Sequence, residues 1–360
     1  MTTSLKSLGR RAREAAIDDA IAALERGELV LASTETVYGV FADARDAGAV
    51  ARLRSGNSDR LPAAWHARGL DEARERLGPL RGGASRAMER LAPGPVTFIV
   101  EVGEDRAKQA AASLGAVAGA VAGDGVVVVR VPEAGAGADL IARAGFPVVG
   151  RGVAAFGLGE GKELPRLSEE RGGELGVGAV LEDGPTKYGK GSTLIRLDRG
   201  GGVRIEREGA IPARRVWAIL ARRLLFVCSG NTCRSPMAAS IARALAGEAF
   251  EVESAGVSAM EGAGMTAEAG EALRALGMEP GVHASSMLTR ERVASAEAVF
   301  VMTKAHLRAV ESLGGSGKAV LLDPEGGDVE DPIGGPLEAY IATAKRLREM
   351  IEVRLKEFGA

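Results

Sequence analysis

Apolar positions along this 360-residue chain change their period several times. Residues 11–26 repeat Ala16, Ile17, Ala20, Ile21 and Leu24 at helical spacing, which predicts an amphipathic helix. "GELVLAS" then reads as a buried strand running out into "STETVYG". Residues 95–102, 125–131 and 192–197 are rich in Val, Ile and Thr and predict further strands. Helical patterns over 48–54 and 83–91 lie between them. This alternation predicts an α/β or α+β domain that ends near "EREGAIPARRV".

Residues 211–222 read as a helix and linker, and a fresh run begins at Leu224. "LLFVCSG" is a short apolar strand. "SPMAASIARALAGE" follows as a helix, with Ala238, Ile241, Ala242 and Leu245 on one face. Residues 298–303 and 319–323 are strands, and "PLEAYIATAKRLREMIEVRLKEF" is a long amphipathic helix. Residues 223–360 therefore predict a second domain of doubly wound α/β type with a parallel sheet.

Composition narrows the class. Hydrophobic residues make up 46% and charged residues 26%, which fits a globular chain and not a disordered or fibrous one. The net charge of −2 argues against nucleic-acid or membrane binding by the chain as a whole, although a local basic cleft remains open. Neither an apolar leader core nor an uninterrupted membrane-length apolar run is present, so no membrane partner is expected. Two cysteines give no disulfide framework and predict a reducing, cytoplasmic setting. His66, His283 and His306 are scattered and read as ordinary surface or capping residues, so no metal site is expected.

Both cysteines fall in one stretch, "VCSGNTCRSPMAAS". Cys228 ends a strand and Arg234 opens a helix, with Ser235 and Pro236 where an N-cap and a first-turn proline belong. A glycine-containing loop between strand and helix turns successive amides inward and forms a cradle for a tetrahedral oxyanion. The arginine fork holds two phosphate oxygens at once. The same positive field favours the thiolate of Cys228, which is placed to attack phosphorus.

"CSGNTCRSP" resembles the signature of the low-molecular-weight protein-tyrosine-phosphatases. The likeness continues in "ESAGVSAMEG", "LRALGMEPGVHASSMLT", "VFVMTKAHL" and "VEDPIGGPLEAY". It implies a metal-independent phosphatase acting on a phosphorylated protein. Cys228 would be the nucleophile, Arg234 the transition-state clamp and Asp331 the general acid. Ser229, Gly230, Asn231, Thr232, Cys233, Arg234 and Ser235 would form the phosphate loop, with Ser235 on the thiolate and Asn231 and Ser254 as braces. Asp323, also followed by proline, is the rival acid, although a strand-end turn role suits it better. Thr232 leaves phosphotyrosine and phosphoarginine both open, because related arginine phosphatases carry threonine there. The resemblance also implies that Cys233 can form a protective disulfide with Cys228. The same fold hosts arsenate reductases, but the further downstream cysteines those need are absent.

"STETVYGVFADA", "LAPGPVTFIV", "VVVRVPE", "GKGSTLIRL" and "IEREGAIP" resemble, in order, the YrdC-like threonylcarbamoyl-AMP synthases. The two resemblances divide the chain at 10–215 and 223–360. The first implies a twisted α/β sheet around a large basic cavity, with Thr34, Tyr38, Arg54, Arg130, Ser192 and Arg207 at pocket positions. ATP with threonine, or an RNA (double-stranded RNA included), is the ligand it implies. Two segments depart from the family. Arg54 and Gly56 stand where it has Lys-x-Arg, and "RGVAAF" replaces its Ser-Ala-Asn. Each lost charged hydrogen bond weakens nucleotide binding by about 2–3 kcal/mol. The expectation is thus a cysteine phosphatase fused to a diverged ligand-binding domain, the alternative being a bifunctional protein that also makes threonylcarbamoyl-AMP.

Overall fold

Runs of Val, Ile and Leu that lack a polar alternation are strands covered on both faces, and both parts of the chain are built on them. The computed structural model describes residues 2–55, 61–166, 168–247 and 250–357. They divide into two units, residues 1–219 and 220–360, each mixed α/β.

Among the described residues unit one carries eleven strands: β1 (Thr2–Ser4), β2 (Leu29–Ser33), β3 (Tyr38–Asp43), β4 (Ala64–His66), β5 (Val96–Glu101), β6 (Ala122–Gly123), β7 (Val126–Arg130), β8 (Val148–Gly152), β9 (Val177–Glu182), β10 (Thr193–Leu197) and β11 (Val203–Arg207). They form one mixed sheet in the order β1-β9-β2-β3-β8-β4-β7-β5-β10-β11, with β6 beside β7. The strand expected to run into "STETVYG" stops at Ser33 and returns antiparallel from Tyr38. Thr34 forces the turn: its amide and its hydroxyl both donate to Val37 O, at 3.1 and 3.0 Å. Helices Arg10–Glu25 and Ala136–Arg143 cover β2 and β3 with Ile17, Leu24, Leu140 and Ile141 against Val30 and Phe41. Each such buried side chain contributes about 1.5–3 kcal/mol, far more than helix propensity does.

In unit two, β12 (Arg222–Cys228), β13 (Phe250–Gly256), β14 (Ala298–Val301) and β15 (Ala319–Leu321) form a parallel sheet in the order β13-β12-β14-β15. Leu224, Phe226 and Cys228 face one core with helices Arg234–Ala246, Ala267–Ala275 and Leu337–Glu357. Leu225 and Val227 face a second core under Arg290–Ser295 and Lys304–Val310. This is the doubly wound arrangement expected for the region. The chain leaves β12 toward β13 on one side and reaches β14 on the other, which opens a crevice at the carboxyl end of β12. Cys228, the last residue of β12, lies there. Among the described residues no helix is long and apolar enough to cross a membrane.

Candidate active site

Residues 229–233 turn between β12 and the helix that begins at Arg234. Asn231 takes the left-handed backbone conformation, φ 56°, that lets the loop close. It is fully buried, and its side-chain groups are all engaged. Nδ2 donates to Ser235 Oγ and Ser254 Oγ, both at 2.9 Å, and Oδ1 accepts from Ser286 N at 2.8 Å. An aspartate here would lack both donors. A close approach fixes the other side of the loop. A Cβ on Gly256 would come within 2.5 Å of Ser229 O, so β13 admits only glycine there.

Cys228 is 2% exposed, yet its sulfur is not in an apolar setting. Asn231 N donates to Sγ at 3.3 Å, and Ser235 Oγ lies 3.0 Å away. Ser235 is not the N-cap its sequence position predicts. Cys233 is the cap residue, Ser235 is the second helical residue, and the Ser235 hydroxyl is drawn to the sulfur. Both cysteines are free thiols. Cys233 Sγ faces Thr266 Oγ1 at 3.6 Å and Tyr340 OH at 3.9 Å. Burial is the larger cause that raises the Tyr340 phenol above its usual range, with Cys233 adding to it.

Arg234 is 4% exposed and aims its guanidinium at the mouth of the loop. Nη1 donates to Val329 O at 2.9 Å, and Nη2 reaches Ser229 Oγ at 3.3 Å and Asp331 Oδ2. Asp331 is thereby joined through Arg234 to Ser229 of the loop. Asp323 is elsewhere employed: its carboxylate accepts from Arg346 Nη2 at 2.8 Å and from Glu325 N at 2.9 Å.

The histidines depart from the sequence expectation. His306 and His66 are each 5% exposed, and neither is a surface residue. His283 Nε2 donates to Asn231 O at 2.7 Å. His306 bridges Thr303 Oγ1 and Ser229 Oγ, each at 3.0 Å. The sequence carried one signal for this, the Thr-x-x-His spacing in which Thr303 caps a helix by accepting from His306 N. Burial, followed by the charge on Arg234, lowers His306 to about 4, so it is neutral at pH 7. Among the described residues no group of three or more His, Cys, Asp or Glu side chains could hold a metal ion.

Unit one contains a cavity of about 450 Å³. Thr34, Arg130, Ser192 and Arg207 line it, together with His66 and Thr97. Arg130 is a buried floor residue whose Nη2 donates to Glu35 Oε1 at 2.7 Å, Thr36 Oγ1 at 2.8 Å and Thr34 Oγ1 at 3.3 Å. Ser192 Oγ and Thr97 Oγ1 pair at 2.7 Å. Burial is the first cause that lowers His66 to about 3, and the charge on Arg130 is the second. Tyr38 does not line the cavity. It is fully buried, its hydroxyl donates to Gly184 O at 2.9 Å, and it accepts from Asp183 N at 3.0 Å, so it ties β3 to the end of β9. Arg54 is exposed at the end of helix Ala47–Arg54 and is also absent from the lining. Gly56, its partner in the expected basic pair, lies outside the described residues. Where the family has Ser-Ala-Asn, the wall is made by Arg151, Gly152, Ala154 and Ala155.

Two family models match the chain. One, described as low molecular weight phosphotyrosine protein phosphatase, covers residues 223–360. The other, the Sua5/YciO/YrdC model described as telomere recombination, covers residues 22–209. The chain is 38% identical over 140 residues to a protein-arginine-phosphatase of Geobacillus stearothermophilus, covering 37% of this chain and 93% of that one. A Bacillus subtilis protein-arginine-phosphatase is 36% identical over 145 residues, covering 37% and 95%. A threonylcarbamoyl-AMP synthase of Bacillus subtilis is 27% identical over 183 residues, covering 50% of this chain and 49% of the synthase, about half its length. The chain therefore belongs to the low molecular weight phosphotyrosine protein phosphatase family through residues 223–360, where it is a cysteine-dependent phosphatase, and to the Sua5/YciO/YrdC family through residues 22–209.

Proposed function

We propose that residues 223–360 remove a phosphoryl group from a protein side chain through a phosphocysteine on Cys228, with phosphoarginine as the preferred substrate. The observation that carries the reading is the sulfur under two hydrogen-bonding groups, Asn231 N and the Ser235 hydroxyl, at the foot of the loop that Arg234 closes. Such contacts fix the sulfur at the foot of the loop, where a bound phosphoryl group would meet it. The incoming phosphoryl group displaces Asp331 from Arg234 and takes the guanidinium for its own oxygens. Sulfur forms a bond to phosphorus as the bond to the leaving nitrogen or oxygen breaks, and Asp331 gives its proton to that leaving atom. Asp331 then takes a proton from the water that attacks phosphorus, which releases phosphate and restores the thiolate. Arg234 supplies the positive charge that this sequence needs, so the reading includes no metal or cofactor.

Preference for phosphoarginine rests on the half-buried Thr232 in the loop and on the two arginine-phosphatase relatives at 38% and 36% identity. Phosphoarginine and phosphotyrosine peptides assayed side by side in a chelating buffer test it. Faster turnover of the arginine peptide is expected, and faster turnover of the tyrosine peptide contradicts it. The role of Asp331 has its own test. Asp331→Asn should slow turnover about 10²-fold or more, and most for poor leaving groups. Asp323→Asn should lower stability and spare turnover, because its carboxylate holds Arg346 and a turn.

For unit one the proposal is a ligand-binding domain that has lost synthase activity. Three features support it. Ala154 and Ala155 have no side-chain hydrogen-bonding group to offer a nucleotide. Arg54 is not in the lining, and Arg130 already neutralises Glu35. Calorimetry on the whole chain should show no threonine-enhanced ATP binding. Tight, threonine-enhanced binding accompanied by pyrophosphate release would restore the bifunctional reading.

A further inference from the structure

His306 is the third residue of helix Lys304–Val310, and its ring is enclosed between that helix and the phosphate loop. The protons in this contact chain can be counted. Thr303 Oγ1 accepts the backbone N–H of His306 at 3.3 Å. Its own proton then needs an acceptor, and His306 Nδ1, 3.0 Å away, is one. A neutral imidazole has a single N–H, which this places on Nε2, so Nε2 donates to Ser229 Oγ at 3.0 Å. Arg234 Nη2 donates to the same oxygen at 3.3 Å. Two donors fill both lone pairs of the Ser229 hydroxyl, and its proton is left to point elsewhere. Among the described residues Ser229 Oγ has no third hydrogen-bond partner in the protein. The opposite tautomer would leave the Thr303 proton unpaired and spend the Ser229 proton on the ring.

We propose that His306 is a positioning residue for the phosphatase reaction: through Ser229 it orients one hydroxyl proton toward the bound phosphoryl group and holds the Ser229 oxygen against Arg234. His306 touches no substrate atom in this account. The inference rests on the proposed role of the 228–235 loop, and its test separates the two.

The test is a double-mutant cycle on the whole chain, read as the dissociation constant of vanadate by calorimetry and as kcat/KM for an aryl phosphate. Ser229→Ala and His306→Ala should each weaken vanadate binding about tenfold, the effect of one hydrogen bond to a charged group. The double variant should be no worse than either single one, because both remove the same hydroxyl proton. His306→Gln, which can still donate to Ser229, should recover most of the loss. His306→Leu keeps the buried volume and serves in the same cycle if the alanine variant does not fold. A merely structural His306 predicts lowered thermal stability with vanadate binding unchanged, and that result overturns the proposal. So do effects of the two substitutions that multiply to about a hundredfold. Failure of the unaltered protein to bind vanadate would overturn the phosphate-loop reading itself.

Discussion

Cys228→Ser should give a folded protein whose turnover of aryl phosphates is lower by about 10⁴-fold or more. Serine keeps the two polar neighbours of the sulfur, Asn231 N at 3.3 Å and Ser235 Oγ at 3.0 Å, and differs little in volume. The loop should therefore close as before, and thermal denaturation should change only slightly. What is lost is chemical: a hydroxyl is not ionised at neutral pH, and two hydrogen-bonding neighbours do not make it so. Steady-state kinetics beside a melting curve reads both halves of the expectation. Residual activity within tenfold of the original would mean that another group attacks phosphorus.

Arg234→Lys is the second large effect, expected at about 10³-fold in kcat/KM, by analogy with arginines that neutralise a transferring phosphoryl group. The guanidinium meets Val329 O, Ser229 Oγ and Asp331 from two of its nitrogens, a spread that one ammonium cannot reproduce. Because the site is 4% exposed, the lysine variant also leaves Val329 O without its donor, at a cost of about 1–3 kcal/mol. Urea denaturation measures that cost independently of turnover. The two readouts should separate, with the kinetic loss much larger than unfolding can explain in a protein that is still mostly folded. A variant with turnover near that of the parent would show that Arg234 is a structural residue alone.

The phosphate loop was legible because its chemistry is local. Cys228, Asn231, Arg234 and Ser235 lie within a few positions of one another, and the strand–loop–helix context is written in the same stretch. Its supports were not. His306, His283, Ser286 and Gly256 reach the loop from distant segments, and only the packing of β13 and β14 beside β12 brings them there. Ser235 shows a local rule overridden, since a free hydroxyl goes to a nearby sulfur instead of the helix end.

Unit one was less legible for a different reason. Strands β2 and β3 are buried along their whole length, so they carry no period-two signal, and the turn at Thr34–Val37 has neither glycine nor proline to mark it. The order of eleven strands depends on contacts across the whole unit. Tyr38 was assigned to the pocket by its motif, and the structure turns its hydroxyl to Gly184 and Asp183 instead. Arg130 lines the cavity, and its pairing with Glu35, ninety-five positions away, cannot be read from the chain.

The central claim is a covalent phosphoryl transfer to one sulfur. Mixing the protein with an aryl phosphate, quenching within the first turnover and mapping phosphopeptides by mass spectrometry tests it directly. The account predicts one phosphoryl group on the peptide that carries Cys228, attached to that residue. Phosphate released with no phosphoryl-protein at any quench time, or a phosphoryl group found on Cys233 or on a histidine, would contradict it.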